Sequence, residues 1–402
     1  MKIAMVSEHA NPLAALRGVD AGGQNVHVAE LSAALSRGGH EVTVYSRRDD
    51  PETPAMVIAP AGYRVVHVPA GPDRYLPKDE LYQHMPEFGS YLLQQWQHDR
   101  PDVVHAHFWM SGVATHTAAE PLNIPVVQTF HALGSVKRRF QGAADTSPDF
   151  RVEVEEQLAR DATVVAATCS DEIFELARMG LPRTHAAVVP CGVDIKSFTP
   201  DGPAEPRGRT HRLVIAGRLV PRKGFEIAIR ALADIPDTEL VIAGGPMEGE
   251  LADDAEARRL LGVADEMGVG DRVIMPGAVA RAQMPALFRS ADAVVCVPWY
   301  EPFGMVPIEA MACGRPVIAA AVGGMLDTVV DGVTGRLVPA RDPDALAAAA
   351  RSLLADSDGL ERIGRAARDR ARGKYAWDRV ASETLKVYRR ALPQIAAAEN
   401  AR

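Results

Sequence analysis

The sequence predicts an α/β protein of two doubly wound parallel sheets, and three observations carry that expectation. Short β-branched runs alternate with longer amphipathic runs through the first half, the pattern that builds a parallel sheet with helices on both faces. A breaker-rich stretch without apolar period, Pro200-Asp201-Gly202-Pro203-Ala204-Glu205-Pro206-Arg207-Gly208, then interrupts the chain. Beyond it the same alternation restarts. At 402 residues the chain is also too long for one ordinary core.

In the first half the expected strands are Lys2–Ser7, Val42–Ser46, Arg64–Val68, Val103–His107, Val126–Thr129, Thr163–Ala167 and Ala187–Val189. Between the first two, Val28, Leu31 and Leu35 share one face of a helix from Gln24 to Arg37, and Gly38-Gly39 stops it. The second half gives strands near Leu213–Ala216, Glu239–Ala243, Arg272–Met275, Ala293–Val297, Pro316–Ala319 and Arg336–Val338. Three helices, Pro343–Ala355, Gly359–Arg372 and Trp377–Leu392, close the chain. The expected domains are residues 1–199 and 212–376, with 200–211 as the linker. No short-period repeat is present.

Composition narrows the function. With 44 basic against 52 acidic residues the net charge is −8, which argues against general nucleic-acid binding. Cys169, Cys191, Cys296 and Cys313 lack metal-ligand spacing and are expected as small buried residues in a reducing compartment. The apolar run Ile3-Ala4-Met5-Val6 is too short for a signal-peptide core, and no apolar stretch reaches spanning length. A cytoplasmic enzyme without a transmembrane segment is expected. Homodimer formation is left open.

The segment Tyr300-Glu301-Pro302-Phe303-Gly304-Met305-Val306-Pro307-Ile308-Glu309-Ala310 carries the chemistry. It follows an apolar strand and leads into a helix that ends at Gly314, so Glu301 lies in the connecting loop and Glu309 in the helix. Ligands of open α/β sheets bind at that edge, where loops and helix N-termini converge. Spacing, residue type and context resemble the paired-glutamate signature of retaining glycosyltransferases of the two-domain GT-B type, family 4. The resemblance implies two Rossmann-like domains with an interdomain cleft. It also implies a C-terminal helix, residues 377–402, that crosses back to the N-terminal domain.

It assigns Glu309 to the donor ribose and Glu301 to hydroxyls of the transferred sugar, since a carboxylate accepts both protons of a diol. Backbone amides of Phe303, Gly304 and Met305 would face the sugar and diphosphate, and the base would lie near Gly277. Family members carry an Arg and a Lys five residues apart after the first strand of the second domain, here Arg218 and Lys223. Fixed cations there stabilise the charge that grows on a departing diphosphate. Arg222, between them, is expected at the surface.

In the first half a Gly pair, Gly22-Gly23, opens a helix after a strand, which suits a phosphate, and the family pattern brings Gly23 to the donor diphosphate. No third glycine completes a dinucleotide fingerprint. This half resembles the subgroup that holds sucrose-phosphate-type synthases and the inositol-phosphate N-acetylglucosaminyltransferase of mycothiol synthesis. The match rests on His9, Asp20, Gly22, Gly23, Asn25, Lys78, Ser111-Gly112, His131, Lys137 and Arg151. It implies that His9, Asn25, Lys78 and Arg151 face the acceptor and that His131 contacts the transferred sugar. Phe108 and Ala132 replace a Tyr and a Thr of that enzyme, and each change removes a hydroxyl from its phosphate site. Inositol phosphate is therefore not expected as an efficient acceptor, whereas a phosphorylated or cyclitol-like one is.

The implied reaction is same-face substitution on a nucleoside-diphosphate hexose, with UDP favoured as the nucleotide. It requires no cofactor, assigns no metal ligand and leaves open whether a divalent ion assists. A GT-B epimerase shares the fold but not the Arg218/Lys223 and Glu301/Glu309 constellation, and a non-catalytic binding module predicts a degraded one.

Overall fold

The structure, a computed structural model, describes residues 1–14 and 22–392, with Glu248 described by its backbone alone. Asp20 and the last residues of the expected 377–402 helix lie outside the described residues. Contacts divide the chain into two compact units. The first holds Met1–Cys191 together with the helix Trp377–Ala391, and the second holds Gly192–Ala376.

The first sheet contains β1 (Lys2–Val6), β2 (Glu41–Arg47), β3 (Met56–Ile58), β4 (Arg64–Val68), β5 (Val103–His107), β6 (Val126–Thr129), β7 (Val164–Ala167) and β8 (Ala186–Val188). They lie in the order β3-β4-β2-β1-β5-β6-β7-β8, and only β3 runs antiparallel to its neighbour. Ile3 registers with Val42 on one side and Val103 on the other. The central strands β5, β6 and β7 are buried throughout because helices cover both faces, which is why their sequences read as continuous apolar or small runs. Strand β3 was not expected. Its three residues sit between Pro54 and Pro60, too few to show a period, and form an exposed edge.

The helix Trp377–Ala391 packs on the helix Gly23–Arg37 and on β6 and β7, all within the first unit. A buried polar chain anchors it. Thr129 Oγ1 donates to the Ala166 carbonyl (2.8 Å), so it accepts from His105 Nε2 (2.8 Å), and His105 Nδ1 accepts from the Tyr388 hydroxyl (2.8 Å). His105 is thus spent on structural hydrogen bonds.

The second sheet contains β9 (His211–Ala216), β10 (Thr238–Ala243), β11 (Val273–Gly277), β12 (Ala293–Cys296), β13 (Val317–Ala320) and β14 (Gly335–Val338). All are parallel, in the order β11-β10-β9-β12-β13-β14. Leu213, Ile215, Phe225, Ile229, Val295, Ile318 and Leu346 form part of its core. The Pro-rich stretch that precedes β9 is bonded to this unit: Arg289 donates to the carbonyls of Thr199 (3.1 Å) and Pro203 (2.7 Å), and Arg212 to that of Pro206 (2.5 Å).

Both sheets reverse their winding once. Successive strands step outward from β1 on one side and restart at β5 on the other; in the second unit the reversal lies between β9 and β12. Crevices open beyond the carboxyl ends of the strands at such points.

Tyr388→Phe should leave a buried His105 nitrogen without its donor and destabilise the protein by about 1–3 kcal/mol. Urea denaturation followed by circular dichroism measures this; an unchanged midpoint would remove the anchoring role of the hydroxyl.

Candidate functional site

At the reversal of the second sheet, the loop after β9 carries Arg218 to Lys223, and the loop after β12 carries Tyr300 to Gly304. The Lys223 ammonium donates directly to Glu301 Oε2. Arg222 is not the surface residue expected from its position: its side chain is 17% exposed and its Nη1 lies 3.8 Å from the same Glu301 oxygen. Burial opposes ionisation of Glu301, but Lys223, Arg222 and Arg218 outweigh it and hold the carboxyl below its usual pKa. The Cys296 thiol, at the end of β12, is pushed up to about 12, chiefly by burial.

Glycines make this loop fit. Gly323 has φ 47°, and a Cβ there would lie 2.2 Å from the Glu301 carbonyl oxygen, while Gly324 N–H donates to that oxygen (3.0 Å). Gly304, with φ 82°, is the residue before the helix Met305–Ala312 and lets the chain turn into it. Phe303 is buried, 6.0 Å from Tyr375 between ring centroids. Glu309, in the second turn of the helix, is buried and accepts from Arg281 Nη1 (2.8 Å). Gly277 ends β11, and its carbonyl accepts from Gly244 N–H (2.9 Å).

At the reversal of the first sheet, Glu8 and His9 follow β1 and Phe108 follows β5. Phe108 has φ 84° and His131, beyond β6, has φ 60°, so two neighbouring strand ends hold non-glycine residues in the left-handed region. The Phe108 ring is a hub. His9 packs edge-on at 4.9 Å, Lys78 Nζ lies 3.5 Å from the ring centroid and the Arg151 guanidinium 5.1 Å.

Arg151 is buried, and its Nε donates to Glu155 (2.7 Å), its Nη1 to Ser147 Oγ (3.1 Å) and its Nη2 to the Ala132 carbonyl (2.6 Å). Burial pushes the Glu155 carboxyl up, against the pull of Arg151 and of the Gly134 N–H. Asn25 donates to the Asn11 carbonyl (3.0 Å). Gly22 and Gly23 stand exposed at the start of the helix Gly23–Arg37, whose N-cap has no side-chain hydrogen bond. Lys137 pairs with Asp145 (2.8 Å).

Beneath this wall lie His27, His105, His107 and His131. His107 and His131 stack and share a hydrogen bond of 3.0 Å, and the His27 ring stands 5.0 Å from that of His131. His27 Nδ1 lies 3.3 Å from Cys191 Sγ. Among the described residues no group of three His, Cys, Asp or Glu side chains could hold a metal ion, and no helix is long and apolar enough to cross a membrane.

Comparison with known proteins decides the family. Residues 21–197 match the model described as Glycosyltransferase Family 4, and residues 203–370 that of Glycosyl transferases group 1. A D-inositol 3-phosphate glycosyltransferase of Xylanimonas cellulosilytica is 38% identical over 97% of both chains. The chain belongs to glycosyltransferase family 4. It is a transferase with the GT-B fold.

A second relative of the transferase, also named D-inositol 3-phosphate glycosyltransferase, from Kineococcus radiotolerans, is 35% identical over 100% of this chain and 98% of its own. Among solved structures, a sucrose-phosphate synthase from Thermosynechococcus elongatus superposes with a TM-score of 0.85 at 31% identity, covering 97% of this chain and 98% of that one. An Anabaena protein solved with UDP and glucose matches with a TM-score of 0.72 at 21% identity, covering 96% and 99%, which shows the fold alone.

In the transferase, Arg218, Lys223 and Glu301 gather at one strand edge, and His9, Lys78, Phe108 and Arg151 at another. Asn25 turns to Asn11, and Glu309 to Arg281. Four contributors escaped the sequence: Glu8, Glu155, Arg222 as a partner of Glu301, and Arg281 as a partner of Glu309. Only Glu8 left a signal, a carboxylate beside a histidine at the end of an apolar strand.

Burial lowers His27 to about 4 and His105 to about 3, and His107 and His131 fall well below their usual value. Histidines neutral in the fold but titrating near 6.5 when unfolded contribute stability that is complete above 6.5 and is lost as pH falls toward 4. Each contributes up to about 1.4 kcal/mol per pH unit. Glu172, raised to about 7 by burial, and Glu155 act oppositely but are outnumbered. Urea midpoints should therefore fall between pH 6.5 and 5; constant midpoints would contradict a neutral histidine core.

Proposed function

We propose that the transferase moves a hexosyl group from a nucleoside-diphosphate sugar, with UDP favoured, to a hydroxyl of a small phosphorylated or cyclitol-like acceptor, with retention of anomeric configuration. The observation that carries this is the convergence of Lys223, Arg222 and Arg218 on the partly buried Glu301 carboxylate. Three cations around one carboxylate leave a positive excess to meet a diphosphate, while the carboxylate can take sugar hydroxyls. Glu309, fixed by Arg281, is suited to a ribose diol in the same way. The names of the relatives, for inositol 3-phosphate and sucrose phosphate, support a small polyhydroxylated partner.

In this scheme the bond from the anomeric carbon to the diphosphate breaks and a short-lived oxocarbenium ion forms. The acceptor hydroxyl then attacks from the face just vacated, and its proton passes to the departing phosphate oxygen. Glu301 is committed to Lys223 and Arg222, so it is not poised as the nucleophile of a double displacement. Arg218 and Lys223 stabilise the leaving group electrostatically, and no proton transfer is asked of them. No cofactor takes part, and four buried free thiols fit a cytoplasmic enzyme.

Thermal shifts across UDP, GDP and ADP and their sugars identify the donor, because a ligand of the native state raises the melting temperature. Proton NMR of the product then reports the anomer; an inverted product contradicts the scheme. Arg218→Ala and Lys223→Ala should each lower kcat at saturating donor by roughly 10²-fold or more. Near wild-type turnover in both would sink the clamp.

A further inference from the structure

Glu8 has no part in the transfer scheme, yet it is 1% exposed at the carboxyl end of β1, beside the Phe108 wall. Its Oε1 accepts from His9 Nδ1 (2.6 Å), its Oε2 accepts from the Ser111 hydroxyl, and its own N–H donates to Ser111 Oγ (3.0 Å). With Nδ1–H committed to Glu8, a neutral His9 presents Nε2 as a lone pair, and its side chain is 20% exposed. Among the described residues Nε2 has no hydrogen-bond partner.

Among the described residues that face Phe108 and Arg151, the charges offset one another in number. Lys78 and Arg151 supply two positive charges, and Glu8 and Glu155 two negative ones. Burial opposes ionisation of Glu8, but His9, Ser111 and Lys78 overcome it, while burial keeps His9 neutral against the pull of Glu8. A phosphate monoester would bring a charge of about −1.5 to −2 into this wall. It would face two carboxylates, an imidazole lone pair, and an arginine already bonded to Glu155, Ser147 and the Ala132 carbonyl. A hydroxyl brings no charge and carries the proton that Nε2 can accept.

We propose that the acceptor is an uncharged polyol, and that Glu8 selects it by fixing His9 as the hydrogen-bond acceptor for one of its hydroxyls. This rests on the glycosyl-transfer function proposed above. Glu8 is a positioning residue, and its negative charge turns away phosphorylated analogues.

Calorimetric titration of the full chain with myo-inositol, glucose, D-inositol 3-phosphate and glucose 6-phosphate tests this without turnover. The neutral member of each pair should bind tenfold or more tightly. Glu8→Gln removes the charge but keeps an oxygen for His9 Nδ1–H, so it should strengthen binding of the phosphorylated compounds about tenfold and leave the neutral ones nearly unchanged. Glu8→Leu removes both and should weaken the neutral polyols about tenfold; a merely structural role would not separate the two variants in this way. Tighter binding of the phosphorylated compounds by the wild type overturns the proposal, as does an unchanged preference in Glu8→Gln, or no binding of either neutral polyol. Turnover with a nucleotide-sugar panel is scored separately: absence of product with all four compounds counts against glycosyl transfer, while the binding preference decides the polyol.

Discussion

A parallel sheet that reverses its winding must leave one place where the connections on its two sides part, and the functional geometry of each unit depends on that place. Between β1 and β5, and again between β9 and β12, neighbouring strands send their chains to opposite faces. Backbone amides and side chains at those carboxyl ends are then free of helix cover. Glu8 and Phe108 stand at the first such point, Arg218 and Glu301 at the second. The remainder of each unit holds these ends in register.

Each place is electrically distinctive. In the second unit three cations surround one carboxylate, an excess suited to an anion. At the first, among the described residues, Glu8 and Glu155 offset Lys78 and Arg151 in number, and His9 is neutral. The two chemistries rest on different backbones. Glycines let the Glu301 loop lie against Gly323 and Gly324, whereas the first unit holds Phe108 and His131 in left-handed conformations without glycine. Strain of about 1–3 kcal/mol at such residues persists only where surrounding packing over-determines it. The covered face of Phe108 and the histidine cluster below His131 supply that packing.

Most of the fold was legible in the sequence because strands buried on both faces leave uninterrupted β-branched runs, and helices leave a 3.6-residue period. β3 was not, since three residues between prolines carry no period. At the second unit, residue type, spacing and the family resemblance marked Arg218, Lys223, Glu301 and Glu309 as candidates, which share two loops and one short helix. Partners brought from distant segments were invisible: Arg281 joins Glu309 from another connection, and Arg222 turns inward because its guanidinium lies over the Tyr300 ring, 5.3 Å from the centroid. Glu155 is one helical turn from Arg151, but the sequence offers Glu153 and Glu156 as well, and only the buried face singles it out.

All four cysteines are buried, and burial pushes Cys296 and Cys313 up to about 12. Alkylating reagents attack the thiolate, so these native thiols form a silent background. A cysteine introduced at an exposed helical position, such as Gln97 in the first unit or Arg258 in the second, would react alone. Dyes or spin labels could then be attached to the unaltered cysteine complement. A labelled pair, one probe in each unit, would read the spacing of the units in solution as substrates are added.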